Sequence, residues 1–225
     1  MNETCGISAG IEEVYEKKKL YVKKMFFDEV QELTSYFRKL LSGRDPPIQQ
    51  VIDCGVVPCL IRFLQFDDNP ALQLEAAGSL TVIAGSKGSE KKNYLIEVGV
   101  VPILIRLLSS MHEDVRLQAA RALGNLASVN YDKDVKYRDI ILAEGALPAL
   151  IQTTENRISE QIIYAISHLC DGKPFPDFEV IRPALPLLRR CLDSENEEVV
   201  RYSLASLGRI ARSKDSIHAI LDKQL

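Results

Sequence analysis

One pattern of apolar and polar positions recurs four times along the chain: "EAAGSLTVIAG" from Glu75, "QAARALGNLAS" from Gln118, "QIIYAISHLCD" from Gln161 and "YSLASLGRIAR" from Tyr202. Stacked, the sixth column reads Leu80, Leu123, Ile166, Leu207, and the ninth reads Ile83, Leu126, Leu169, Ile210. With the small tenth column, these positions return at helical spacing and make one apolar stripe. The fourth column reads Gly78, Arg121, Tyr164, Ala205, and the eighth reads Val82, Asn125, His168, Arg209. Residues four apart share a helix face, so these two columns form a second face. Its composition changes at every recurrence. The first stripe is predicted to be core and the second a surface ladder.

The fourth column advances by 43, 43 and 41 residues. A second marker keeps step, with "GVVP" at Gly55 and Gly99 and "GALP" at Gly145, 44 and 46 residues apart. Each marker closes a short stretch ("IQQVIDCG", "KNYLIEVG", "YRDIILAEG") that reads as a helix stopped by glycine, the residue that takes a left-handed turn most cheaply. Pro58, Pro102 and Pro148 then fall near the start of a second helix, where a missing N–H does no harm. A polar turn leads into the third helix. The fourth unit, "FEVIRPALPLLRRCL", lacks the glycine but keeps a proline at Pro186.

Purely helical units of about 40–47 residues belong to armadillo and HEAT arrays, and three helices with a short first one is the armadillo arrangement. The predicted fold is all-α, a right-handed armadillo-repeat solenoid of about four full repeats plus partial terminal repeats. A disordered N-terminus is expected over residues 1–10 and a single armadillo-repeat domain over 11–225. Within it fall a partial repeat to about 44, repeats at about 46–88, 90–130, 136–172 and 177–213, and a truncated repeat at 214–225. A solenoid unit buries its apolar face only against a neighbour. The fragment "KDSIHAILDKQL" covers little of the helix carrying Leu204 and Leu207, which predicts self-association through the C-terminal end.

Several segments, "PPIQQVIDCGVVP", "EVGVVPILIRLLSS", "EDVRLQAARALGNLA", "KYRDIILAEGALP" and "LCDGKPFPDFEVIRPALP", resemble importin-α, the adaptor family that carries nuclear localisation signals. The likeness covers roughly residues 28–225. It implies a protein working between cytoplasm and nucleus, with an extended peptide as partner. It also implies an arginine-rich N-terminal segment for importin-β, which has no counterpart here, since the first arginine is Arg38. The usual importin-β contact is therefore not expected, nor are the family's C-terminal repeats with their minor signal site.

The same resemblance gives the two changing columns a meaning. In the family, column four is Trp, sandwiching the stems of signal lysines, and column eight is Asn, bonding the peptide backbone. This chain contains no tryptophan. The candidate peptide-binding residues are Gly78, Val82, Arg121, Asn125, Tyr164, His168, Ala205 and Arg209, of which only Asn125 keeps the family residue. Lys92 stands where the family has a threonine. Asp132 and Asp134 are alternatives for a family acid beyond Asn125. A cation–π contact contributes about 0.5–2 kcal/mol, so losing two or three platforms costs roughly 1–6 kcal/mol, or about one to four decades of affinity. Standard basic signals are expected to bind weakly. The other reading is an interaction scaffold that uses its ends or convex face and has no cargo role.

Composition narrows the rest. A net charge of −3 argues against a dedicated nucleic-acid binder, and no apolar run is long enough to span a membrane. The five cysteines are irregularly spaced, and His112, His168 and His218 are scattered, so no metal ligand set emerges. "AGSKGSEKK" lacks the phosphate-loop pattern. No nucleophile, base and orienting group can be matched, so the expectation is no enzyme, no cofactor and no metal. "YEKKKLYVKK" from Tyr15 reads as the solvated face of an amphipathic helix.

Overall fold

A computed structural model of the chain describes residues 28–128, 136–154 and 157–212. The N-terminal stretch to residue 27, with its lysines, Asp132, Asp134 and the expected truncated repeat at 214–225 lie outside the described residues. Among the described residues there are helices and turns but no strand. Helix α1 occupies residues 28–41. Four triplets follow. The first is α2 (Ile48–Asp53), α3 (Val56–Phe63) and α4 (Pro70–Gly85); the second is α5 (Ser89–Glu97), α6 (Val100–Leu107) and α7 (Glu113–Ala127). The third is α8 (Lys136–Ala143), α9 (Ala146–Thr153) and α10 (Glu160–Leu169), and the fourth is α11 (Phe178–Ile181), α12 (Leu185–Cys191) and α13 (Glu197–Ile210).

The glycine markers make the sharp corner between first and second helices. Gly55, Gly99 and Gly145 have φ of 73°, 77° and 84°, a region that costs any other L-residue energy. The fourth triplet turns this corner differently. The Asp177 carboxylate caps α11 by accepting from the Glu179 amide at 2.9 Å, and a 3₁₀ turn at Arg182–Ala184 containing Pro183 links α11 to α12. Two of the third helices, α4 and α13, start at side-chain caps: Asn69 accepts from Leu72 N at 3.0 Å with Pro70 behind it, and Asn196 accepts from Glu198 N at 2.9 Å.

The third helices α4, α7, α10 and α13 pack successively against one another. Their apolar stripe is the core of this layer: Leu80, Ile83, Leu123, Leu126, Ile166, Leu169 and Ile210 are at most 1% exposed. Fully burying such a side chain contributes about 1.5–3 kcal/mol. Leu207 is only half-buried, and its neighbour Leu204 is 56% exposed. The seventh column is small throughout: Thr81, Gly124, Ser167, Gly208. It sets how closely adjacent third helices approach. A Cβ on Gly124 would stand 2.8 Å from the Tyr164 ring and 3.0 Å from the Ala165 Cα, so α10 rests on the backbone of α7 there.

A buried arginine locks the third unit to the fourth. Arg138, on α8, is 1% exposed. Its guanidinium donates to the carbonyls of Asp171 (2.6 Å) and Pro174 (2.9 Å) and to the Asp139 carboxylate. Those contacts hold the turn that carries the chain from α10 to α11.

Candidate peptide-binding face

The two changing columns lie where the helical spacing puts them, on the face of the third helices away from the apolar stripe. The eight residues are not equally available. Arg121 is exposed; Val82, Asn125, Tyr164, His168, Ala205 and Arg209 are half-buried; Gly78 is buried. Gly78 is covered because Arg38 reaches across from α1. A Cβ at Gly78 would fall 2.8 Å from the Arg38 Nε, and the Arg38 guanidinium donates to Glu75 at 3.2 Å. The space of the missing side chain at Gly78 is thus filled by an arginine from α1.

Asn125 and Tyr164 are tied to each other. The Tyr164 hydroxyl donates to Asn125 Oδ1 at 2.8 Å, and Asn125 Nδ2 donates to the Thr81 carbonyl at 2.9 Å. The Thr81 hydroxyl in turn accepts from Gln118 at 2.7 Å. This chain of hydrogen bonds joins α4, α7 and α10 across the ladder. It uses the Asn125 amide at both ends and folds the Tyr164 ring back over Gly124. The ring meets Tyr202 and His168 edge-on, with centroids 5.4 Å and 4.6 Å away. Burial raises the Tyr164 phenol above its ordinary pKa, so it stays a hydrogen-bond donor at neutral pH.

Charges on this face are arranged around the same residues. Arg209 donates to Ser167 Oγ at 2.8 Å and pairs with Asp171 at 3.0 Å. Burial, with Arg209 adding to it, pushes His168 down to about 4, so the imidazole is neutral at physiological pH. Its Nδ1 is buried without a hydrogen-bond partner. Lys92 is 2% exposed, and its ammonium donates to the carbonyl and hydroxyl of Ser128 just beyond α7. Burial lowers Lys92 to about 8. Arg121 is different: among the described residues it has no hydrogen bond or ion pair.

Column periodicity found the eight ladder residues. It missed Arg38, Thr81 and Asp171, which fix the ladder from positions roughly a repeat away from their partners, and Ser128, which holds Lys92 beside it. The small seventh column was the available signal for Thr81 and Gly124. Among the described residues, no group of three or more His, Cys, Asp and Glu side chains comes together to hold a metal ion.

Comparison with known proteins agrees with the repeat fold. The Armadillo/beta-catenin-like repeat matches residues 44–85 and 88–128. An engineered protein of known structure superposes with a TM-score of 0.75 at 27% identity, covering 85% of this chain and 77% of that one. Computationally designed armadillo repeat proteins superpose equally well, at 0.75 over 87% of this chain and 82% of theirs, and at 24% identity they bear on the fold alone. The chain is therefore an all-α armadillo-repeat solenoid. Among sequences, Importin subunit alpha-1b of Oryza sativa subsp. japonica is 43% identical over 197 residues, 85% of this chain and 36% of that protein. Importin subunit alpha-3 of Arabidopsis thaliana is 45% identical over the same shares, and Importin subunit alpha-4 of that plant is 38% identical over 96% of this chain and 41% of its own length. The chain belongs with the importin-α-like armadillo proteins. It spans little more than a third of the length of the curated relatives it matches.

Proposed function

We propose that this protein is an importin-α-like adaptor of nuclear protein import, working between cytoplasm and nucleus by binding an extended peptide along its concave face. The ladder of Gly78, Val82, Arg121, Asn125, Tyr164, His168, Ala205 and Arg209 is the peptide track. Adjacent packed helices lie about 8–10 Å apart and an extended strand rises about 3.3 Å per residue, so each rung meets roughly every third peptide residue.

The observation that carries the finer reading is the Thr81–Asn125–Tyr164 chain. A peptide backbone that uses Asn125 must first displace the Tyr164 hydroxyl or the Thr81 carbonyl bond, and a hydrogen bond exchanged for another yields little net free energy. No indole platform flanks that site, and Arg121 repels a signal lysine. Standard basic localisation signals therefore bind weakly, and the preferred partner is a different kind of segment.

Arg121→Trp tests this. Arg121 is exposed and makes no contact the fold depends on, so an indole there removes the repulsion and restores one stacking platform. A lysine-rich signal peptide is expected to bind the variant roughly ten-fold tighter than the parent, in line with about 0.5–2 kcal/mol for one cation–π contact. Unchanged affinity in a folded variant would mean that basic peptides do not track along this ladder.

A further inference from the structure

We propose that the concave face recognises an acidic extended peptide, with Arg121 as the residue that reads its carboxylate. This rests on the peptide-track reading above and specifies the chemistry of the partner.

The charge distribution along the third helices carries it. Acidic residues at the starts of these helices, Glu113, Asp114, Glu160, Glu197 and Glu198, lie in first turns, where they complement the helix dipole at the rim. Beyond those turns the four helices hold a single acid, Glu75, and Asp171 follows α10. Both are already engaged by arginines, Glu75 by Arg38 and Asp171 by Arg209. Arg121, between them on α7, is left exposed with no carboxylate or carbonyl partner among the described residues. Among the described residues, the middle of the track thus carries a positive charge with no paired carboxylate. The buried ammonium of Lys92, on the Ser128 carbonyl one turn beyond Asn125, adds to the same potential. A guanidinium presents a fork matched to a carboxylate, and such charge-assisted pairs are the stronger hydrogen bonds. A basic peptide meets repulsion at this point, whereas an acidic one meets a cation that is unpaired among the described residues.

The test uses three labelled peptides of equal length, glutamate-rich, lysine-rich and uncharged, titrated into the full chain and into Arg121→Glu at low and physiological salt. The expected result is tightest binding of the glutamate-rich peptide, weakening with salt, and a loss of ten-fold or more in Arg121→Glu with the fold unchanged by circular dichroism. An acidic peptide no tighter than the uncharged one, or an Arg121→Glu variant with undiminished acidic binding, overturns the proposal. So does equal binding of a single-stranded oligonucleotide, which would mark a non-selective polyanion surface. If the uncharged peptide binds and Tyr164→Ala releases it while charge makes no difference, the peptide track stands and only its acidic preference fails. If none of the three binds, both readings fall.

Discussion

Replacing Arg138 with alanine is expected to destabilise the folded chain by about 3–5 kcal/mol, the range found when one partner of a buried, hydrogen-bonded charge is removed. The guanidinium is almost wholly enclosed and satisfies two main-chain carbonyls, those of Asp171 and Pro174. Truncation leaves both without their donor in a buried setting, at about 1–3 kcal/mol each, and opens a void the size of the lost side chain. The Asp139 carboxylate is half-exposed, so it returns to water at little cost. For a domain of this size the loss corresponds to a fall of roughly 10 °C in Tm, readable by calorimetry and by the urea midpoint. Arg138→Lys is expected to recover only part of it, because one ammonium nitrogen cannot reproduce both the Nη1 bonds to the two carbonyls and the Nε and Nη2 bonds to Asp139. A loss below about 1 kcal/mol for the alanine variant would show that the turn between α10 and α11 does not depend on this anchor.

The second large effect concerns two glycines in the same column of the repeat. Alanine is the better helix former by about 1 kcal/mol, so a mid-helix glycine invites replacement. At Gly208 a Cβ would meet nothing within 4 Å, and Gly208→Ala is expected to stabilise by about 0.5–1 kcal/mol. At Gly124 the Cβ would press on the Tyr164 ring at 2.8 Å and on the backbone of Ala165 at 3.0 Å. The ring can shift, but the backbone contact yields only if α7 and α10 separate. Overpacking of this kind costs about 1–3 kcal/mol, which exceeds the propensity gain, so Gly124→Ala is expected to destabilise by about 1–2 kcal/mol. Urea unfolding of the two variants side by side checks the opposite signs. Two stabilised variants would contradict the close approach at Gly124.

The solenoid was legible in the sequence because its core is periodic. Leu80, Leu123 and Ile166 recur at the same column for the reason that each fills the same space between successive helices, and Gly55, Gly99 and Gly145 recur because each corner needs the same left-handed residue. Nothing periodic announces the tertiary bonds that fix the ladder. Arg38 over Gly78, Lys92 on Ser128, and Asn125 between Thr81 and Tyr164 each join side chains roughly a repeat apart, and each is peculiar to one interface. The resemblance to importin-α singled out Asn125 as the one ladder position that keeps the family's residue type. It did not foresee that the Asn125 amide is engaged on both sides. That fact depends on a tyrosine one repeat later lying against a glycine, a coincidence of two columns rather than a feature of either. The fourth unit dispensed with its marker glycine for a local reason as well, the 3₁₀ turn that Pro183 supports.

We propose that the apolar spine of this importin-α-like solenoid is kept while the ladder along its third helices no longer suits basic signals. Titration of the unaltered chain with a labelled lysine-rich localisation peptide at physiological salt decides between the two kinds of ladder. The expected dissociation constant is weaker than about 100 µM, a binding free energy of less than about 5.5 kcal/mol. Binding at about 1 µM or tighter, equivalent to roughly 8 kcal/mol, and weakened by Asn125→Ala, would contradict it and show a ladder that still reads basic signals.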